Sequence, residues 1–285
     1  MQFRKRTAIL LIIFIGLLTY WGTVQNNFIL GDDEDQIVNH EQVHSVKNIP
    51  KFFLGSTYYS KERNESYGLF YRPLMLTTYS LLHAAFGPNP AMFHLFQLAL
   101  HIGNTIIIFI FLSLFFPLIA SLLISLIFLV HSMNSETVLL SSNLQDILFF
   151  FFGSLSLLIL AANKDKQLNW KKITIFSICI LLSVFSKETG LLFGFISIAY
   201  AFLFSKKNII RIAISVSIAA MCLFIFRFFI AQIGFGISIF SPIAHASFYQ
   251  RMLNMPSIIA RYINTFIFPS SLQSAQFWLE EKITL

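Results

Sequence analysis

Apolar residues in this chain gather into long runs, and several runs approach the roughly 20 residues an α-helix needs to cross a hydrocarbon core. The first covers residues 7–24, follows Arg4-Lys5-Arg6 and has no small-residue cleavage site after it. It predicts an uncleaved first span with its N-terminus in the cytoplasm. Residues 25–71 then mix Asp, Glu, Lys, Asn and Tyr with patches such as Phe52-Phe53-Leu54, which predicts an outer loop too long to be a simple connector. Arg72-Pro73 stops any helix arriving from that loop, because proline biases the residue before it away from the α region. The apolar stretch 74–86 is short for a span and predicts a juxtamembrane or re-entrant helix, so the outer segment extends over residues 25–90.

A full span is predicted over residues 91–116, with His94, Gln97, His101 and Asn104 along one strip of the helix. A return span to residue 130 follows Pro117. Next come a polar hairpin carrying His131, Asn134, Glu136, Asn143, Gln145 and Asp146, and another span to residue 162. Lys164, Lys166, Lys171 and Lys172 mark a cytoplasmic turn, which puts that hairpin on the same face as the acidic loop. A helical pair then turns at Ser186-Lys187-Glu188-Thr189-Gly190 on the outer side and ends at Lys206, Lys207 and Arg211 inside. The span 209–230 carries Arg227 near its outer end. Residues 91–230 thus read as a helical bundle and 231–285 as an outer segment with an incomplete last span. The whole of 1–285 reads as one membrane domain.

Composition narrows the class. The chain is 56% hydrophobic and 12% charged with 34 Phe and a mean hydropathy of +0.72, which excludes a soluble globular domain and predicts an all-α polytopic membrane protein. The net charge of +7 does not call for nucleic acid, because Lys and Arg sit in short clusters between apolar runs, where they set topology. Cys179 and Cys222 fall inside apolar segments and read as packing residues. Asn64-Glu65-Ser66 is a glycosylation acceptor only if the host modifies that face.

Candidate chemistry begins with Asp32-Asp33-Glu34-Asp35, four carboxylates beside a membrane span. A solvated acidic turn is one reading and the opening of an active site is the other. With Glu136 and Asp146 and the cations Arg72, Lys187 and Arg227 expected at one face, the second reading gains a purpose: a cleft for a phosphate-bearing lipid and a polar acceptor. Cations hold phosphate through charge-assisted bonds, and a carboxylate can take a proton from a hydroxyl. His94 and His101 lie two turns apart and read as packing residues, whereas His131 sits at the mouth near Glu136.

The ordered set Asp32-Asp33, Tyr71-Arg72-Pro73-Leu74, Phe93-His94-Leu95, Leu100-His101 with Asn104, His131 with Glu136, Asp146, and Ser186-Lys187-Glu188-Thr189-Gly190 resembles the membrane part of the transmembrane and tetratricopeptide-repeat O-mannosyltransferases and their bacterial relatives. These belong to the GT-C superfamily with protein O-mannosyltransferases and the aminoarabinose transferase of lipid A. The resemblance implies a GT-C-type helical bundle and transfer of a sugar from a polyprenyl or dolichyl phosphate to a hydroxyl of a protein or glycolipid at the outer or luminal face. It implies Asp32 or Asp33 as catalytic base and Arg72 on the lipid phosphate. Glu136 and Asp146 would form a second acidic site, with Lys187 near the carrier; His131 and Arg227 complete the expected substrate-binding set.

The chain departs from its relatives at Gly31, where an aromatic residue is common, at Ser132 in place of proline, and at Leu144 and Gln145 in place of a cationic pair. No metal is expected, the alternative being a divalent cation at Asp32, Asp33 and Asp35. Rival functions are a transporter or flippase of a lipid-linked sugar and a truncated, non-catalytic relative, since no tetratricopeptide repeats follow. The Phe-, Ile- and Lys-rich composition points to a bacterial cytoplasmic membrane rather than the endoplasmic reticulum.

Overall fold

Many large apolar side chains of the helices point outward, while others form the buried clusters between them. On α1 (Lys5–Tyr20) the buried residues are Ala8, Ile12, Gly16 and Tyr20, at strict four-residue spacing, while Leu10, Phe14 and Leu18 are more than 60% exposed. That inside-out pattern belongs to a helix that faces lipid and packs through small residues. Gly16 has no room for a side chain, since a Cβ there would lie 2.7 Å from the Ile102 side chain.

The computed structural model describes residues 4–63, 65–234, 242–270 and 272, which fall into two compact units, Met1–Gly234 and Phe235–Leu285. In the first unit, α1 leads into a long loop holding short 3-10 turns, a π-helical turn at Glu34–Val38, the single-turn α2 (Ile49–Phe52), and a hairpin of β1 (Tyr58–Ser60) with β2 (Glu65–Tyr67). The hairpin pairs Tyr58 with Tyr67 and Ser60 with Glu65. Sequence reading gives no strand here, because each strand has only three residues, too short for a recognisable alternation. The acceptor Asn64 of the glycosylation triplet lies outside the described residues.

Helix α3 (Pro73–Phe86) starts at a proline and stops at Gly87, whose φ of 67° only glycine adopts readily. Its 14 residues rise about 21 Å at 1.5 Å each, short of a hydrocarbon core of about 30 Å, as expected for a juxtamembrane helix. The side chain of Asn89 caps α4 (Pro90–Leu112), which is the span expected over 91–116, except that its last four residues form turns.

After α5 (Leu118–Val130) the chain bends by 50° into a 3-10 turn and the short α6 (Ser135–Leu139). It then runs through α7 (Leu144–Ala161), α8 (Trp170–Ser186), α9 (Leu191–Phe204) and α10 (Ile209–Phe224), and α10 continues as a second π-helical segment, Ile225–Ile230. Four helical stretches among the described residues are long and apolar enough to cross a membrane, or five if the bent α5–α6 pair is one span. The chain is an all-α, polytopic integral membrane protein.

The lysine-bearing turns gather at one end of this unit: Asn208 bonds Lys166 O and the Leu168 amide, and Arg211 donates to Leu168 O. The polar loop, the 131–143 hairpin and the 187–190 turn gather at the other. Buried hydroxyls sew the helices together between the ends, as in Ser183 Oγ to Phe149 O at 2.7 Å and Ser177 Oγ to Ser215 Oγ at 2.8 Å. The second unit contains α11 (Pro242–His245) and α12 (Phe248–Ile267), the latter opened by a capping box between Ser247 and Gln250 and containing Pro256.

Candidate active site

Gly31, with a φ of 103°, makes the turn that delivers the acidic run. Its carbonyl accepts from the Asp35 amide at 2.9 Å, and the π-helical turn begins three residues on, at Glu34. A β-carbon would strain that φ, which gives the departure at Gly31 a structural reason.

The turn sends the two aspartates in different directions. Asp33 is 1% exposed: its Oδ1 accepts from the Ser142 amide at 2.7 Å and its Oδ2 from the Ile29 amide at 3.1 Å. Asp32 stays exposed, and the Tyr58 hydroxyl donates to its Oδ1 at 3.3 Å, the same hydroxyl accepting from Gln36 Nε2 at 3.2 Å. Burial, with Asp32 alongside, pushes the Tyr58 hydroxyl above its ordinary range, while nearby Arg72 pulls it back. Asp32, Asp33, Tyr58 and Arg72 also all act on buried Tyr79, whose hydroxyl donates to Ser141 O at 2.8 Å. Arg72 is thus gathered with the acidic loop. Its guanidinium lies 4.4 Å from the centre of the Phe70 ring, its Nε is buried without a partner, and it is in none of the ion pairs among the described residues.

A second cluster continues from the first. Ser142 bonds Asp33, and in the first turn of α7 Asp146 meets Lys187 at 2.5 Å, both side chains about one-quarter exposed. Gln145, at the position of an expected cation, donates to Asp146 Oδ2 at 3.3 Å, so a residue from another helix supplies the charge that the local sequence lacks. Next to Lys187, Glu188 pairs with Arg227 and accepts from the Tyr71 amide at 3.5 Å, and Arg227 donates to Leu69 O at 3.1 Å. Tyr71 adjoins Arg72, which closes a ring of contacts. Both π-helical segments lie on this ring, one directly after Asp33 and one containing Arg227. Such segments recur at functional sites because the extra residue re-aims a side chain.

Some expected members stand apart. Glu136 is exposed on α6 and is linked to Asp146 by none of the described bonds, while His131 Nδ1 accepts from the Met133 amide at 3.2 Å and caps a turn. His94 lies 3.4 Å from Ser141 Oγ and His101 Nε2 lies 3.0 Å from Leu129 O, both buried, in keeping with packing. Among the described residues no three His, Cys, Asp or Glu side chains come together as a metal-binding set.

Sequence reasoning missed Glu188, Tyr58 and Gln36. Glu188 carried a signal, a carboxylate beside Lys187 at an apex facing the end of the span that holds Arg227. Tyr58 and Gln36 carried none, because only the loop's path brings them to Asp32.

No family model matches the chain, and no solved structure does. It is 23% identical over 183 residues to protein O-mannosyl-transferase TMTC3 of Homo sapiens, covering 63% of this chain, and 22% identical over 183 residues to the Mus musculus protein of the same name, covering 64%. The chain spans about a fifth of the length of these curated relatives (20% of each). The similarity is distant and supports a glycosyltransferase-like relationship.

Proposed function

We propose that this protein is a membrane glycosyltransferase that moves a sugar from a polyprenyl- or dolichyl-phosphate carrier to a hydroxyl acceptor, protein or glycolipid, at the membrane face bearing the acidic loop. The observation that carries the reading is the ring itself: an accessible carboxylate, Asp32, and an arginine outside every described ion pair, Arg72, gathered around Tyr58 and Tyr79. The distant similarity to an O-mannosyl-transferase agrees with it.

Asp32 rather than Asp33 is assigned the base. A general base must reach the proton it takes, and Asp32 is exposed while Asp33 is buried under two amides. In the proposed step the acceptor O–H gives its proton to Asp32, the freed oxygen forms a bond to the anomeric carbon, and the carbon–oxygen bond to the carrier phosphate breaks with inversion. The phosphate leaves with the electron pair and one added negative charge. Arg72 stabilises that charge; Lys187 and Arg227, each already opposed by a carboxylate, have less to offer. The proton passes from Asp32 to water. No general acid is needed, and no metal.

The test uses the full chain in lipid nanodiscs with radiolabelled polyprenyl-phosphate mannose and a Ser/Thr-bearing peptide or glycolipid acceptor. Transfer is expected with chelator present, and Asp32→Asn is expected to slow it at least about 100-fold, the low end for a lost general base. Full transfer in that variant removes the base assignment. Loss of transfer on chelation brings the divalent-cation alternative forward.

A further inference from the structure

Helix α12 sorts its 20 residues by polarity around its circumference. At about 100° per residue, Phe248, Met252, Met255, Ile259, Ile263 and Phe266 fall on one half of the helix, and Gln250, Asn254, Ser257, Arg261, Asn264 and Thr265 on the other. The only buried residue of α12 is Asn254, in the polar half, where its Nδ2 donates to Gln250 O at 2.9 Å. Phe248, Ile259 and Ile263, in the apolar half, are each more than half exposed. The chain's own packing therefore leaves the apolar half open.

At 1.5 Å per residue the helix is about 30 Å long, enough to cross a hydrocarbon core, so length does not decide its placement. Polarity does. Helix α12 is not among the stretches long and apolar enough to span, and crossing would carry Asn254, Ser257 and Arg261 through the middle of the core. What its open half fits is the boundary of a bilayer, which a polytopic membrane protein already has beside it. The helix carries two arginines and no carboxylate, the sign that suits phosphate-bearing headgroups. Tyr249 and Tyr262 flank the six apolar residues on either side, where a ring with a polar tip suits the membrane–water boundary.

We infer that α12 lies flat in the membrane interface, with its apolar half sunk about 5–10 Å into the headgroup–acyl boundary and its polar half turned away from the lipid. The incomplete last span expected from the sequence is then part of an in-plane helix. The inference does not rest on the transferase reading.

The test uses the full chain with Cys179→Ala and Cys222→Ala, in sealed vesicles of phosphatidylethanolamine and phosphatidylglycerol. Single cysteines enter by Gln250→Cys and Asn264→Cys in the polar half and by Met252→Cys, Ile259→Cys and Ile263→Cys in the apolar half. Gln250→Cys keeps the Ser247 hydroxyl on the residue 250 amide, and several positions are read in each half, so one poorly folded variant does not decide the outcome. Cysteines at 250 and 264 are expected to react with an impermeant maleimide from the same side of the membrane. Those at 252, 259 and 263 are expected to react about tenfold more slowly, and a bimane attached there to be quenched by lipids brominated near the headgroup end of the acyl chain more than by lipids brominated at its tip. Reaction of residues 250 and 264 from opposite sides, or from neither, overturns the in-plane placement. Equal rates in the two halves show water on both and overturn it as well. Slow reaction of the apolar half without quenching by either lipid shows a protein surface over it, a partner or a second copy, and overturns the assignment to lipid.

Discussion

Asp32 and Asp33 are neighbours in the chain with different work to do. Asp33 Oδ1 and Oδ2 each take a backbone N–H, one from its own loop and one from the hairpin leading to α7, so this side chain fastens the loop to the bundle. In Asp33→Asn the amide nitrogen replaces one acceptor and leaves an N–H facing a donor. The loop is expected to loosen by about 1–3 kcal/mol, read as faster protease cleavage between residues 25 and 72, while Asp32→Asn leaves that rate unchanged. His40 provides a second residue-scale test. It is buried beside Phe52 and Tyr59, and desolvation, helped by the nearby His44 charge, pushes its imidazole down to about 4 from an ordinary 6.5. The unfolded loop therefore binds a proton that the folded loop does not between those values. Loop stability is full above about pH 6.5, falls as pH drops through that window by about 3 kcal/mol in all, and levels off near pH 4. Amide exchange over residues 36–59 measures this, and His40→Leu is expected to flatten the profile.

Elements carry the residues to one another. The turn Glu188–Gly190 presents Glu188 to Arg227 because Gly190 presses against the end of α8: a Cβ there would lie 2.5 Å from the backbone carbon and oxygen of Ser183, which cannot swing aside. Gly190→Ala is expected to displace the turn, cost about 1–3 kcal/mol of thermal stability and weaken the Lys187–Asp146 pair along with it, seen as a lowered melting midpoint. Much at this scale was legible in the chain. The strip of His94, Gln97, His101 and Asn104 followed from three- and four-residue spacing, and all four are buried. The short helix after Arg72-Pro73 followed from its length. The β1–β2 hairpin and the two π-helical segments were not legible, since three-residue strands and single inserted residues leave no periodicity to detect.

For the whole molecule, the prediction concerns sidedness. In a variant lacking Cys179 and Cys222, cysteines placed at exposed Asp35 and Glu136 are expected to react with an impermeant maleimide from one side of the membrane, and cysteines at exposed Lys164 and Lys206 from the other. Residues 35 and 136 labelling from opposite sides would contradict the bond between Asp33 and Ser142. By itself the sequence determined the class, the order of spans and the end of the bundle at which polar residues collect, because length, hydropathy and charge sign act locally and add up along the chain. Only the tertiary structure decided which aspartate is accessible, that Lys187 pairs with Asp146, and that Glu188 belongs to the ring. Each of those depends on atoms 41 to 117 residues apart meeting within hydrogen-bond distance or failing to, and that distance is set by how helices pack rather than by any one of them.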